Sequence, residues 1–108
     1  MKIVWTESAK DDLISIRQYL KQSESLQYAK KITQDVRNEV ETLKQWNSKG
    51  TYVKELEELG LSQYRQLLSG QYRIIFERGD TEMFYVHIVC HTSRDLEALL
   101  RRRILSNS

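Results

Sequence analysis

Residues 62–91 read SQYRQLLSGQYRIIFERGDTEMFYVHIVCH, and the fold turns on how this stretch is divided. It contains three β-prone runs, 64–68, 71–77 and 82–90, with Ser69-Gly70 and Gly79-Asp80 in the gaps. A tight hairpin needs residues that tolerate positive φ at its turn, so these pairs predict two hairpins in succession. In the middle run the side chains alternate. Tyr72, Ile74 and Phe76 share one face, and Arg73, Ile75 and Glu77 share the other. A purely structural sheet would rather carry Thr or Val where Arg73 stands. Strict alternation in the last run puts Met83, Tyr85 and Val89 on one side and Phe84, Val86, Ile88 and Cys90 on the other. Apolar residues on both faces predict a central strand, not an edge.

Upstream, KIVW (Lys2–Trp5) is β-rich but too short to stand alone, so it is expected to join the same sheet. Thr6 or Ser8 offers an N-cap, and Glu7, Asp11 and Asp12 lie where a helix dipole favours negative charge. Ala9, Leu13, Ile16 and Leu20 then repeat at helical spacing, and the polar run 21–25 ends that helix. From Ser25 a second pattern runs through Ala29, Ile32, Val36, Val40 and Leu43 to about Trp46, with Gly50 as its expected stop. The short connection predicts an antiparallel helical hairpin. Its apolar seam should cover the Tyr72/Ile74/Phe76 face, leaving Arg73 pointing away from the helices. Residues 51–61 read either as one helical turn or as an extended segment anchored by Tyr52, Val53, Leu56 and Leu59, with Glu55, Glu57 and Glu58 as a solvated acidic face. After the sheet, 91–95 (HTSRD) is a break with capping residues. Leu96, Leu99, Leu100 and Ile104 then predict a short terminal helix whose last turns carry Arg101, Arg102 and Arg103.

The chain has 108 residues, which predicts one domain spanning 1–108. Its 40% hydrophobic content is too high for disorder, and a net charge of +2 is too small to announce a nucleic-acid protein. A small nucleic-acid-binding module would also need a basic face with exposed aromatics, against which the acidic 55–58 segment counts. The lone Cys90 cannot form an internal disulfide and reads as a small buried residue. Neither a metal nor any other cofactor is expected, because His87, Cys90 and His91 crowd one strand without paired ligand spacing. No apolar run approaches the ~20 residues of a membrane span. The expectation is a cytoplasmic protein without a leader or a membrane partner.

The overall prediction is an α+β fold in the order β-α-α-β-β-β-α. An N-terminal strand and a helical hairpin pack on one face of a small antiparallel sheet, and a short helix follows. The opening KIVWTESAKDDLISIRQYL, the paired YRQLL and YRIIFE strands, the YVHIVCH strand and the following HTSRDLEALL resemble, in this order, the toxins of the RelE/ParE superfamily. These are components of bacterial type II toxin–antitoxin modules.

The resemblance implies one of two activities. RelE-like members are ribosome-dependent mRNA endonucleases, whereas ParE-like members poison DNA gyrase. Metal-free RNA cleavage needs a base, a cation for the phosphorane and an acid for the leaving oxygen. On the RelE-like reading Arg73 supplies the cation, Arg65 helps from the neighbouring strand and His91 is the acid. The pattern is sparse there, since Thr92 and Ser93 stand where further basic or aromatic groups belong. The ParE-like reading, which we favour, draws on a histidine followed by an arginine after the last strand, matched by His91 and Arg94. With Arg73, Arg101 and Arg102 these form the expected target-binding surface. Ordinary structural roles compete with each: a pair between Arg73 and Glu77, a strand end at His91, a pair from Arg94 to Asp95 or Glu97. Either reading implies a cognate ParD-like antitoxin and a toxin–antitoxin hetero-oligomer. The antitoxin's flexible tail would pack over Tyr19, Leu26, Tyr28 and Trp46, large residues off the main seam of the hairpin.

Overall fold

A computed structural model describes residues 2–80 and 82–105, the last two as backbone only. Ile104, the final position of the predicted terminal repeat, therefore lies outside the described side chains. The elements run β1 (Lys2–Trp5), α1 (Glu7–Ser23), α2 (Leu26–Glu41), β2 (Thr51–Tyr52), α3 (Lys54–Glu57), β3 (Tyr64–Ser69), β4 (Tyr72–Arg78), β5 (Met83–His91) and α4 (Leu96–Leu100). This is the α+β order expected, with β2 and the single turn of α3 added. Residues 51–61 thus adopt both conformations that the sequence left open. One five-stranded sheet has the order β1-β5-β4-β3-β2. It is antiparallel except that β1 runs parallel to β5, so the sheet is mixed.

Local chemistry sets the helix starts. Thr6 accepts a bond from the Ala9 N–H at the head of α1, and Ser25 does the same for Tyr28 at the head of α2. At the break itself the Glu24 N–H closes α1 on the Leu20 carbonyl and the Ser25 cap opens α2 at the next residue, so the chain turns back within a few residues. Thr33, the one buried polar side chain among the described residues, donates back to the Ala29 carbonyl and so is satisfied. The regular helix ends at Glu41, earlier than the apolar period suggested, and a tight turn at Thr42–Lys44 takes over. Thr42 explains the break, since its hydroxyl bonds the Glu39 carbonyl and its N–H is shared between Glu39 and Val40. Gly50 is consequently no helix stop. It holds a φ of +108° against the Phe76 ring, where an added Cβ would lie 2.9 Å from the ring edge.

Two apolar clusters flank the sheet. Ala9, Leu13, Val36, Val40 and Leu43 of the hairpin region pack on Ile74, Phe76, Phe84, Val86 and Val89. On the other face Val53, Leu56, Leu96, Leu99 and Leu100 cover Ile75, Ile88 and Cys90. The face carrying Arg73, expected to be open, is therefore partly roofed by α3 and α4. This double cover is why β5 is apolar on both sides.

The parity of β5 changes midway. Phe76 pairs with Val86 while Ile75 pairs with Ile88, which leaves His87 as an extra residue in a β-bulge. Beyond the bulge the side chains change sides, so Val89 joins Phe84 and Val86 under the hairpin, and Ile88 and Cys90 face α4. Strict alternation had placed Val89 with Met83 and Tyr85. At the turns, Gly70 has the positive φ expected, but after β4 that geometry falls to Glu82 (φ 54°). Gly79 serves a close approach instead, with the Tyr85 ring 2.6 Å from where a Cβ would sit.

Gly50→Ala should destabilise the fold by about 1–3 kcal/mol through backbone strain and overpacking of Phe76. Chemical denaturation checks this, with Gly60→Ala as the comparison, because Gly60 shares a positive φ (76°) but meets nothing within 4 Å.

Candidate functional site

Arg73 points away from the helical hairpin, as the alternation required, but its guanidinium is already occupied. Its Nη1 and Nη2 donate to the two carboxylate oxygens of Glu55 at 2.9 and 3.1 Å, and Nε donates to Gln66 Oε1 at 2.8 Å. Only 14% of the side chain is exposed. The partner is thus Glu55 of α3, not Glu77 of the same strand, and Glu55 is no part of a solvated acidic face. The bidentate bond from Arg73 holds the Glu55 carboxyl below its ordinary range, and the same bond raises the guanidinium above its own. Glu77 instead meets His87 at 2.7 Å, with the Tyr64 ring edge-on to the imidazole at 5.6 Å.

The three residues of the predicted nuclease set are not brought together. Arg65 pairs in register with Phe76, which lies under the hairpin, whereas Arg73 is on the opposite face of the sheet. Arg65 stacks over the Tyr52 ring at 4.4 Å. His91 pairs with Tyr72, at the other end of β4 from Phe76, and its ring sits 5.4 Å from that of Tyr72 on the hairpin side. Of the three, Arg73 alone faces away from the helices, while Arg65 and His91 lie on the hairpin side. Both nitrogens of His91 are engaged. The Ser93 N–H donates to Nδ1 at 3.0 Å, so Nε2 carries the proton toward Gln71 Oε1 at 3.1 Å.

A cleft of about 950 Å³ opens where the hairpin meets the β3–β4 turn and the end of β5. Tyr19, Tyr28 and Tyr72 line it together with Gln71, His91 and Arg94. Burial, and after it the nearby Tyr28 and Tyr19, push the Tyr72 phenol up. Tyr19 and Tyr28 are 68% and 45% exposed, so two of the four expected docking aromatics and aliphatics share this cleft. Leu26 and Trp46 are exposed but do not line it. Arg94 forms an ion pair with neither Asp95 nor Glu97. Asp95 caps α4 by accepting from the Ala98 N–H, and Glu97 holds Arg101 at 3.0 Å. Arg102 is exposed.

No local pattern announces the half-buried pair between Asp12 and Arg103. Arg103 donates to both Asp12 oxygens and to the His87 carbonyl at 3.2 Å, while Asp12 accepts from the Val89 N–H at 2.9 Å. By position in the sequence, Asp12 is a charge suited to a helix N-terminus and Arg103 a last-turn cation. They are 91 positions apart, and no local pattern links them. Cys90 is buried, and that burial pushes its thiol up, which fits the packing role expected of it. Among the described residues no group of His, Cys, Asp and Glu could hold a metal ion. No described helix is long and apolar enough to cross a membrane.

The Glu55–Arg73 pair makes stability depend on pH. With the native carboxyl held below the ordinary value of 4.5, the contribution is full above that pH and fades as pH falls through the native pKa. Glu55→Gln should cost about 1–3 kcal/mol at neutral pH, because Arg73 is left half-partnered. The gap in melting temperature from wild type should close below about pH 4.5. Thermal melts across an acid pH series read both effects.

The sequence matches the family model described as "ParE toxin of type II toxin-antitoxin system, parDE" over residues 3–96. No curated protein shows a significant sequence match. Among solved structures, a chain of "Chromosomal ParDE TA system from P. aeruginosa" is similar, with a TM-score of 0.69 and 21% identity over 84% of this chain and 95% of that one. At that identity the likeness establishes the shared fold. The family match spans both faces of the sheet, the hairpin and the loop that carries His91 and Arg94. The chain belongs to the ParE toxin family of type II toxin–antitoxin systems.

Proposed function

We propose that this chain is the toxin of its module, that it poisons DNA gyrase, and that a cognate antitoxin neutralises it. Family membership supports the toxin role. One observation carries the choice of gyrase over mRNA: Arg73 is neutralised by Glu55, and Arg65 and His91 lie on the other face of the sheet at its two ends. Phosphoryl-transfer catalysis needs cations that are preorganised around one developing charge. A guanidinium saturated by a carboxylate has little left for a phosphorane, and this scatter gives no point at which all three groups converge. A surface that binds a large protein needs no such convergence. The rim of His91 and Arg94, with Arg101 and Arg102 directly after α4, is the surface we assign to gyrase.

The similar solved chain comes from a system that contains both toxin and antitoxin, which supports an antitoxin partner here as well. Its tail would lie in the tyrosine cleft, with Tyr19 and Tyr28 as anchors and Leu26 and Trp46 as outlying contacts. A disordered tail gains by burying such preformed aromatic ground as it folds.

Induction in bacteria should trigger the SOS response with trapped gyrase–DNA complexes and leave mRNA intact. Arg94→Ala should reduce that trapping. Cleaved mRNA with arrested translation would instead establish the nuclease reading, and unaffected growth would remove the toxin role. For the antitoxin, Tyr19→Ala and Tyr28→Ala should together weaken the complex at least about tenfold by calorimetry. Unchanged affinity would move the tail elsewhere.

A further inference from the structure

Among the described residues the exposed aromatic side chains are Tyr19, Tyr28, Trp46 and Tyr52. Two of them already carry a cation from the chain itself. Lys49 stands 5.9 Å over the Trp46 ring and Arg65 stands 4.4 Å over that of Tyr52. A cation over an aromatic face is attracted by the negative charge of that face, so each of these rings is satisfied within the molecule. No such cation covers Tyr19 or Tyr28, the two that line the tyrosine cleft.

The charges around these two rings are unbalanced as well. Tyr28 and Asp35 are seven positions apart on α2 and share one face, and Glu24 closes α1 beside them, so both carboxylates line the hairpin wall of the cleft. Asp12 also lines the cleft, but Arg103 neutralises it. Asp35 holds only the exposed Lys31, at 2.8 Å, and a surface pair of this kind exchanges readily. Glu24 has no ion-pair partner among the described residues, and neither has Arg94, which lies on the opposite wall. The acid side of the cleft is therefore the side of the uncovered tyrosines.

This pattern selects what can lie there. An apolar side chain laid on Tyr19 and Tyr28 would strip water from the neighbouring carboxylates and offer them nothing in return. An acidic one would be repelled by them. A guanidinium meets both demands, because its plane stacks on aromatic rings while its N–H groups reach carboxylate oxygens. Arg94 keeps an entering cation away from the far wall. We propose that the antitoxin tail delivers an arginine to this cleft, stacked on Tyr19 and Tyr28 and paired with Glu24 and Asp35. The inference rests on the tail's place in the cleft and adds the side chain that the tail must carry there.

The probe is an end-capped pentapeptide, alanine-leucine-arginine-leucine-alanine, titrated into the full chain at millimolar concentration and followed by NMR. Two companions carry citrulline, the uncharged isostere of arginine, or glutamate at the central position. The arginine peptide should shift the ring resonances of Tyr19 and Tyr28, and both companions should bind there at least about tenfold more weakly. The isosteric double variant Glu24→Gln/Asp35→Asn should remove the preference for arginine over citrulline, and its otherwise unchanged spectrum shows that it is folded. Equal binding of arginine and citrulline overturns the proposal. So do a preference that survives in the double variant, shifts that avoid both tyrosines, and an absence of shifts with every peptide. The tail's seat is decided separately, by the alanine variants of Tyr19 and Tyr28 against the antitoxin, so the two readings fail independently.

Discussion

The bulge at His87 is the constraint from which the rest of the architecture follows. β5 must serve four neighbours: β1 over its first half, β4 along its length, and two apolar layers, one above and one below. A regular strand would keep one set of side chains on each side throughout. The extra residue shifts the second half by one, which places Val89 under the hairpin and Ile88 and Cys90 under α4. It also comes where β1 leaves the sheet, after Val86, so the outward backbone of β5 loses its strand partner at that point. Asp12 and Arg103 replace it, one accepting from the Val89 N–H and the other donating to the His87 carbonyl. An ion pair thus completes a ladder that the strand leaves unfinished.

The charged groups follow a similar economy. Arg73 stands in an otherwise apolar setting beneath α3, and such a cation is tolerable only with a partner that neutralises it and fills its donors. Glu55 does this from the single turn of α3, so the ion pair also fixes that turn over the sheet. The ground open to a partner is at the periphery: the tyrosine cleft and the loop carrying His91 and Arg94.

Much of the fold was legible because it is written in local signals. Thr6, Ser25 and Asp95 cap helices as their residue types predict. The seam through Leu13, Val36 and Val40 follows from helical period, and the hairpin pairing of β3 with β4 from the Ser69-Gly70 turn. The faults fall where non-local contacts decide. Nothing near His87 marks a bulge, because either parity of VHIVC buries apolar residues on both faces. Thr42 ended α2 against a continuing apolar period. The candidate site was legible as a set of residue types but not as a constellation. The cross-strand register puts Arg65 opposite Phe76 and the bulge turns His91 to the hairpin side, and the partners of Arg73 and Arg103 lie 18 and 91 positions away.

The parallel pairing of β1 with β5 bears on how the molecule is made. Among the described strands β1 is made before the rest and finds its neighbour only when the last of them, β5, has been synthesised, and Asp12 waits longer still for Arg103. Meanwhile the hairpin, whose contacts are local, is free to form early with its seam uncovered. The nascent chain thus passes through a stage in which a complete helical pair presents bare Leu13, Val36 and Val40 to its surroundings. Anything able to cover that seam during translation would meet the protein before its sheet exists.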